Sequence, residues 1–262
     1  MGKALGWIDS HCHLTCADLI EEAQGVRQRA LEAGVVRMMI VCCRLEEAEA
    51  ALKMKAEDAR FDVAVGFHPS DLRDFTEEDW HKLETLVYNE NVTAIGEIGL
   101  DYYWDKDNHP EQQAAFIRQI ELANRVNKPI LVHSRDAIAD TFAILCDHPA
   151  VRRGIIHCFS SSREMAREFV KLGYTIGLGG PVTFKNAKTP KEVAADVDLN
   201  YLQIETDCPY LTPVPYRGKR NEPMYLPLTA QTILELRGID EEVLKQQLWD
   251  NYQALFHPQD EL

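Results

Sequence analysis

Trp7-Ile8-Asp9-Ser10-His11-Cys12-His13-Leu14 is a short β-rich run that ends in a pair of histidines. Residues two apart on an extended strand share a face. His11 and His13 therefore point one way with Asp9 below them, while Ser10 and Cys12 point the other way. A stretch of helical period follows. Leu19, Ile20, Ala23, Val26, Ala30 and Leu31 fall on one face, and Gly34 stops the helix. The next β-rich run covers residues 38–43. Strand, helix and strand in that order predict a parallel βαβ unit.

The unit recurs outward from there. Further β-rich runs cover residues 62–69, 94–101, 129–134, 154–159, 174–180 and 201–209, making eight with the first two. Phe116, Ile120 and Ala123 mark a helical face within 111–127. Met165, Ala166, Phe169 and Val170 mark another before Gly173. Eight strands alternating with helices in 262 residues predict an α/β chain folded as a TIM (β/α)8 barrel, one domain over 1–262. A doubly wound open sheet is the competitor, but no Gly-rich dinucleotide fingerprint follows the first strand. The longest irregular segment, 209–227, follows the last strand and is expected to lie over the barrel mouth.

Composition bounds the function. The chain is 45% hydrophobic and 27% charged, ordinary for a globular protein. It carries 28 basic and 42 acidic residues, a formal net charge of −14. That excludes coating nucleic acid by bulk electrostatics. It leaves room for an enzyme that meets a strand end through a metal or a small basic patch. Seven cysteines, an odd number with no Cys-x-x-Cys spacing, argue against a disulfide framework or a zinc ribbon. That cysteine usage makes a reducing, cytoplasmic compartment the expectation, and no run has the length of a membrane span or a signal-peptide core. Gly2 suggests N-myristoylation, but position 6 is Gly rather than Ser or Thr.

The polar residues gather at one end of the strands. The runs close in His11 and His13; Glu97, inside Gly96-Glu97-Ile98-Gly99-Leu100-Asp101; His133, in Val132-His133-Ser134-Arg135; His157, in Ile156-His157-Cys158; and Asp207, in Glu205-Thr206-Asp207-Cys208-Pro209. In a (β/α)8 barrel the C-terminal ends of the strands carry the active site. A Glu inside an apolar run is costly unless paired or metal-bound. Two imidazoles about 7 Å apart along a strand can converge on one ion. The six residues together suffice for two divalent ions bridged by a carboxylate. Cys12, Cys158 and Cys208 each follow a ligand directly. Alternation turns them toward the helices as small buried apolar fillers. Adjacent Cys42 and Cys43, and lone Cys16 and Cys146, have no evident chemical partner.

Asp9-Ser10-His11-Cys12-His13-Leu14, Gly66-Phe67-His68-Pro69, Gly96–Tyr102, His133-Ser134-Arg135, His157-Cys158-Phe159-Ser160, Glu205–Leu211 and Arg217–Pro223 resemble the signature segments of the TatD family. They keep the family's order over nearly the whole chain. One departure is Ser161, where the family commonly has Gly. The resemblance implies a metal-dependent hydrolase on a TIM barrel, related to the amidohydrolase superfamily. Several members of the family are deoxyribonucleases with 3′→5′ exonuclease action. The resemblance also implies metal ligation by His11, His13, Glu97, His133, His157 and Asp207.

Phosphodiester hydrolysis needs a nucleophile at neutral pH and neutralisation of phosphoryl charge, and two metals supply both. His11 and His13 are expected to hold one ion and His133 and His157 the other. Glu97 would bridge them, and Asp207 would ligate the first ion and orient or deprotonate the attacking water. Glu97 and Asp207 are thus the expected catalytic residues. Lys128 lies at the N-terminal end of its strand, the wrong end for a carbamylated bridge. Four imidazoles favour Zn, Mn, Co or Ni, whereas the family is usually called Mg-dependent; the residues leave the ion open.

His68 and Arg135 lie at strand ends and are candidates for holding phosphate oxygens. Lys185, Lys188 and Lys191 in one loop, and Arg217, Lys219 and Arg220 in another, bring cations to the same end. Tyr102, Tyr103 and Trp104 are candidates for stacking bases or forming an aromatic wall. The expected partner is DNA, met at single-stranded ends, with no membrane and no obligate protein partner. The alternative is hydrolysis of a small ester, amide or lactone, or of an aminoacyl ester on tRNA. A non-catalytic barrel is disfavoured because all six ligands are retained.

Overall fold

A computed structural model describes residues 5–258, so the Gly2 reading lies outside the described residues. The elements alternate as the sequence pattern requires. They run β1 (Trp7–Cys12), α1 (Ala23–Glu32), β2 (Val35–Cys42), α2 (Leu45–Glu57), β3 (Phe61–Val65), α3 (Glu77–Leu86), β4 (Ala94–Asp101), α4 (His109–Arg125) and β5 (Ile130–Arg135). After these come α5 (Ile138–Asp147), β6 (Gly154–Ile156), α6 (Arg163–Lys171), β7 (Thr175–Leu178), α7 (Lys188–Asp196), β8 (Leu202–Ile204), α8 (Leu226–Arg237) and α9 (Glu241–Phe256). The strands pair in chain order from β1 to β8, and the described ladders are parallel. This is the (β/α)8 barrel fold. No helix among the described residues is long and apolar enough to cross a membrane.

The chain forms two compact units. One holds the residues up to Ile40 together with those from Cys158 onward; the other is Val41–His157. In the first, α1 ends where Gly34 takes φ +82°, a left-handed turn that suits glycine, and Trp7 N then donates to Gly34 O at 2.8 Å to begin β1. The end of β1 is tied to the segment after β8. His13 N donates to Cys208 O and Asp207 N to His11 O, both at 2.9 Å, and Ser10 Oγ donates to Ile204 O at 3.0 Å. In the second unit, α3 starts on a capping box in which Thr76 and Asp79 satisfy each other's backbone N–H groups. β4 and β5 approach closely at Gly99, where an added Cβ would meet His133 O at 2.0 Å. Lys128, before β5, donates to the carbonyls of Val87 at 2.6 Å and Asn89 at 2.7 Å, near the end of α3. Burial, with Lys55 adding repulsion, pulls its pKa down to about 8.

β4 has the bounds read from the sequence, but β6 and β8 are shorter than the expected runs 154–159 and 201–209. The ladder breaks because Cys158 (φ 46°) and Asp207 (φ 55°) adopt left-handed backbone. Strand alternation therefore stops before Cys158. That residue is only half-buried, which corrects its reading as a buried filler, whereas Cys12 and Cys208 are buried. Cys12 Sγ donates to Met39 O at 3.2 Å, which accounts for its direction.

Candidate metal centre

In the first unit the alternation along β1 brings two imidazoles together. His11 Nε2 and His13 Nε2 are 3.2 Å apart, and Asp207 Oδ1 lies 3.3 Å from His13 Nε2 and 3.8 Å from His11 Nε2. Donor atoms bound to one tetrahedral ion at roughly 2.0–2.1 Å stand about 3.3 Å apart. Two of the three separations in this triad have that spacing and the third, at 3.8 Å, is longer, so the nitrogen and carboxylate donors fit a divalent cation after a small closure. Asp9 faces elsewhere. Its carboxylate accepts from Thr206 N at 2.9 Å, Thr206 Oγ1 at 2.5 Å and His11 N at 3.3 Å. Burial pushes its pKa up to about 7 against those hydrogen bonds. Asp9 thus fastens β1 to the segment that carries Asp207.

In the second unit one carboxylate oxygen collects three imidazoles. Glu97 Oε1 lies 2.8 Å from His133 Nδ1, 2.7 Å from His157 Nε2 and 3.7 Å from His68 Nε2. The donors of His68, Glu97 and His133 fall within one ion's reach of one another. Asp101 Oδ2 takes the other nitrogen of His133, Nε2, at 2.9 Å. A neutral His133 that gives its Nε2 proton to Asp101 turns a lone pair toward Glu97. A lone pair facing a carboxylate is relieved either by a proton on the imidazole or by a metal ion that both groups bind. Burial opposes charging His133, yet its bonds to Asp101 and Glu97 outweigh that and hold its pKa above the ordinary range. His68 is set differently. Its Nδ1 accepts from Ser70 N at 3.2 Å, which puts the proton on Nε2 and makes His68 a donor toward the Glu97 side.

Several supporting residues carry no sequence signal as strong as the ligands'. Asp101 is buried and steers His133; its other oxygen accepts from Tyr103 N at 3.0 Å and Trp104 N at 2.9 Å. Glu205 is fully buried and accepts from Cys158 N, one residue past His157. Cys43 Sγ stands 4.0 Å from Glu97 Oε2, and burial together with Glu97 pushes its thiol pKa up. On one face of α4, two buried amides clamp strand ends by donating and accepting at once. Gln119 pairs with Phe67 N and O at 2.8 and 3.1 Å, just before His68. Gln112 pairs with Asp101 N and O at 2.7 and 2.9 Å. Asn221 acts likewise in the first unit, donating to Thr206 O at 2.8 Å and Tyr210 O at 2.6 Å around Asp207.

The candidate substrate residues divide. Arg217 lies over Phe184 at 4.3 Å and Lys219 over Tyr216 at 5.4 Å, both exposed. Arg220 is committed to carboxylates, with Glu22 at 3.0 Å and Glu222 at 3.1 Å. Lys188 pairs with Glu192 at 3.7 Å. Tyr102 is half-buried, stacked on His109 at 3.5 Å with its hydroxyl donated to Asp140 at 2.8 Å.

The fold and its His-and-carboxylate clusters define a metal-dependent hydrolase, and the comparisons give the family. The model described as "TatD related DNase" matches residues 8–257. Bacillus subtilis YabD is 43% identical over 249 residues, 95% of this chain and 98% of that one; Escherichia coli YcfH is 37% identical over 254 residues, 95% of each chain. Each is named only as a metal-dependent hydrolase. The crystal structure of E. coli YjjV, a TatD homologue, superposes with a TM-score of 0.91 at 30% identity, covering 95% of this chain and 97% of that one. The chain belongs to the TatD family.

Asp101→Asn tests the outer support. An amide replaces the carboxylate that fixes the His133 tautomer, and such losses typically cost about 10–100-fold in metal affinity. Metal titration followed by calorimetry is expected to show a drop of that size with little change in melting temperature. Unchanged affinity would remove Asp101 from the site.

Proposed function

We propose that this protein is a divalent-metal-dependent deoxyribonuclease that hydrolyses phosphodiester bonds at single-stranded DNA ends, with 3′→5′ polarity. The observation that carries the reading is the donor set, two clusters of imidazole and carboxylate at the carboxyl ends of parallel strands. In the barrel fold those ends share one face. On this reading His11, His13 and Asp207 would hold one ion, and Glu97, His133 and His157 would hold the other. The ions, Mg, Mn, Zn, Co or Ni, would supply Lewis-acid charge and an activated water. The chain's own residues do the rest. Asp207 orients that water and takes its proton on the carboxylate. Asp101 and Glu205 hold the elements that carry His133 and His157. His68, protonated at Nε2, donates to a phosphate oxygen, as does Arg135. A cytoplasmic setting agrees with seven cysteines, an odd number with no Cys-x-x-Cys spacing.

Hydrolysis of a small ester or amide would use the same metals, so the loop cations decide. Arg217 and Lys219 are exposed, whereas Arg220 is held by Glu22 and Glu222. Neutralising Arg217, Lys219 and Arg220 together is expected to raise KM for oligonucleotides about tenfold or more. The log–log salt dependence of binding should flatten by about 0.7 for each phosphate that the loop no longer neutralises. Turnover of a small neutral ester should change little. The readout is kcat/KM on both substrates across a salt series. Equal losses on both substrates would mean the loop only supports the site, and an unchanged DNA rate would favour the small-ester reading.

A further inference from the structure

Past β4 the chain turns back on Asp101, and the turn presents two aromatic rings. Asp101 Oδ1 holds Tyr103 N and Trp104 N, while its Oδ2 holds His133 Nε2. One buried carboxylate therefore fixes both a metal-ligand candidate and this aromatic turn. Tyr103 is 44% and Trp104 67% exposed, high values for rings that a core would otherwise take. The rings meet edge to face, centroids 4.8 Å apart at 86°. Arg135, two residues past His133 on β5, lays its guanidinium 4.0 Å over Tyr103 and 5.4 Å from the Trp104 centroid. No salt bridge among the described residues involves it. In a chain of net charge −14, an arginine at a strand end without a carboxylate partner is a conspicuous cation. Held over an aromatic face rather than in a carboxylate pair, a guanidinium has N–H donors left for two oxygens of a phosphate.

We propose that Trp104 and Tyr103, with Arg135 across them, form a subsite for one unpaired nucleobase and its adjoining phosphate. Trp104 offers the stacking face, Tyr103 buttresses it edge-on and holds Arg135, and Arg135 takes the phosphate. Stacking tolerates every base, because each has a π-face, so the subsite favours single strands without reading sequence. A duplex keeps its bases paired and stacked and gives Trp104 nothing to hold. The inference rests on the nuclease reading for its substrate class, but not on cleavage.

The experiment uses the full metal-loaded chain and a hydrolysis-resistant phosphorothioate pentathymidylate. Binding is followed by the fluorescence anisotropy of a dye on one end of the oligonucleotide, so that every variant is read by the same reporter. The oligonucleotide is also made with one base removed at each position in turn. At one position, base removal is expected to weaken binding to the wild type about tenfold. Trp104→Ala should lose about the same tenfold for the intact strand, and the penalty for base removal should then disappear. Arg135→Gln should weaken intact and abasic strands alike, and Arg135→Lys should recover only part of the loss. Metal content and melting temperature of the Trp104 variant identify misfolding, and Trp104→Phe, which keeps a stacking face, should restore most of the affinity. An undiminished base-removal penalty in Trp104→Ala overturns the subsite. Equal affinity of the wild type for intact and abasic strands overturns it as well. Single-strand binding with this signature but no hydrolysis of ordinary DNA would sink the nuclease reading and leave the subsite standing. Hydrolysis without the signature would do the reverse.

Discussion

Glu97→Gln is expected to cut hydrolysis at least about a hundredfold and to lower the bound metal per chain. Loss of an outer partner alone costs about 10–100-fold in affinity or activity, and Glu97 sits further in. Its Oε1 is the common neighbour of His133, His157 and His68, at 2.8, 2.7 and 3.7 Å. Removing its charge takes away a carboxylate that those three imidazoles share. It also leaves a buried amide among donors, where a desolvated mismatch is costly. Elemental analysis after gel filtration should show fewer ions per chain, with the fold retained by circular dichroism. Cys12→Ala is the matched control. It lies beside His11, but its thiol donates to Met39 O at 3.2 Å, so metal content should hold. A Glu97→Gln protein with full metal content and full activity would displace Glu97 from the centre. Metal loss in Cys12→Ala would overturn the direction assigned to that side chain.

The sequence made the ligand candidates legible because local rules were enough. The two-residue period of β1 put His11 and His13 on one face, and their nitrogens are 3.2 Å apart. Gly34 marked the end of α1 and takes φ +82°. The Gly-flanked run around Glu97 became β4 with the expected bounds. What local rules missed depends on partners far along the chain. Asp101 and His133 are 32 positions apart, and Glu205 and Cys158 are 47 apart. A strand-end carboxylate reads the same whether it faces an ion or steadies the imidazole that does. Gln112 and Gln119 carry no signal in the sequence, since an amide that pairs with backbone leaves no pattern in side-chain type. The left-handed Cys158 and Asp207 were invisible too, because alternation assumes extended backbone throughout. Arg220 reads as a free cation in Arg217-Gly218-Lys219-Arg220, and only the fold shows Glu22 and Glu222 holding it.

Chelation is expected to abolish hydrolysis while the protein keeps a cooperative thermal transition. The core is built from apolar side chains. Ile8, Val41, Phe61, Val65, Ile95, Ile130, Val132 and Ile204 are fully or almost fully buried within the strands, with Phe116, Phe169 and Tyr252 packed from the helices. Such a core contrasts with small zinc domains, where binding supplies the folding free energy. The clusters themselves also have a metal-free arrangement. Protons on His133 and His157 can satisfy Glu97, and Asp9 is held by Thr206 whatever His11 binds. Metal still stabilises by mass action, about 2.7 kcal/mol at a hundredfold excess over Kd. For a domain of this size that corresponds to a fall in melting temperature of roughly 5–10 °C on chelation. The measurement is differential scanning calorimetry with and without chelator, alongside activity and re-addition of Mn, Co, Zn, Ni or Mg one at a time. Activity returning with an added ion, over an apo transition that stays sharp, is the expected result. Loss of the cooperative transition on chelation would make the ions structural. Undiminished hydrolysis by protein shown to be metal-free would remove His11, His13, Glu97, His133, His157 and Asp207 from the role assigned to them.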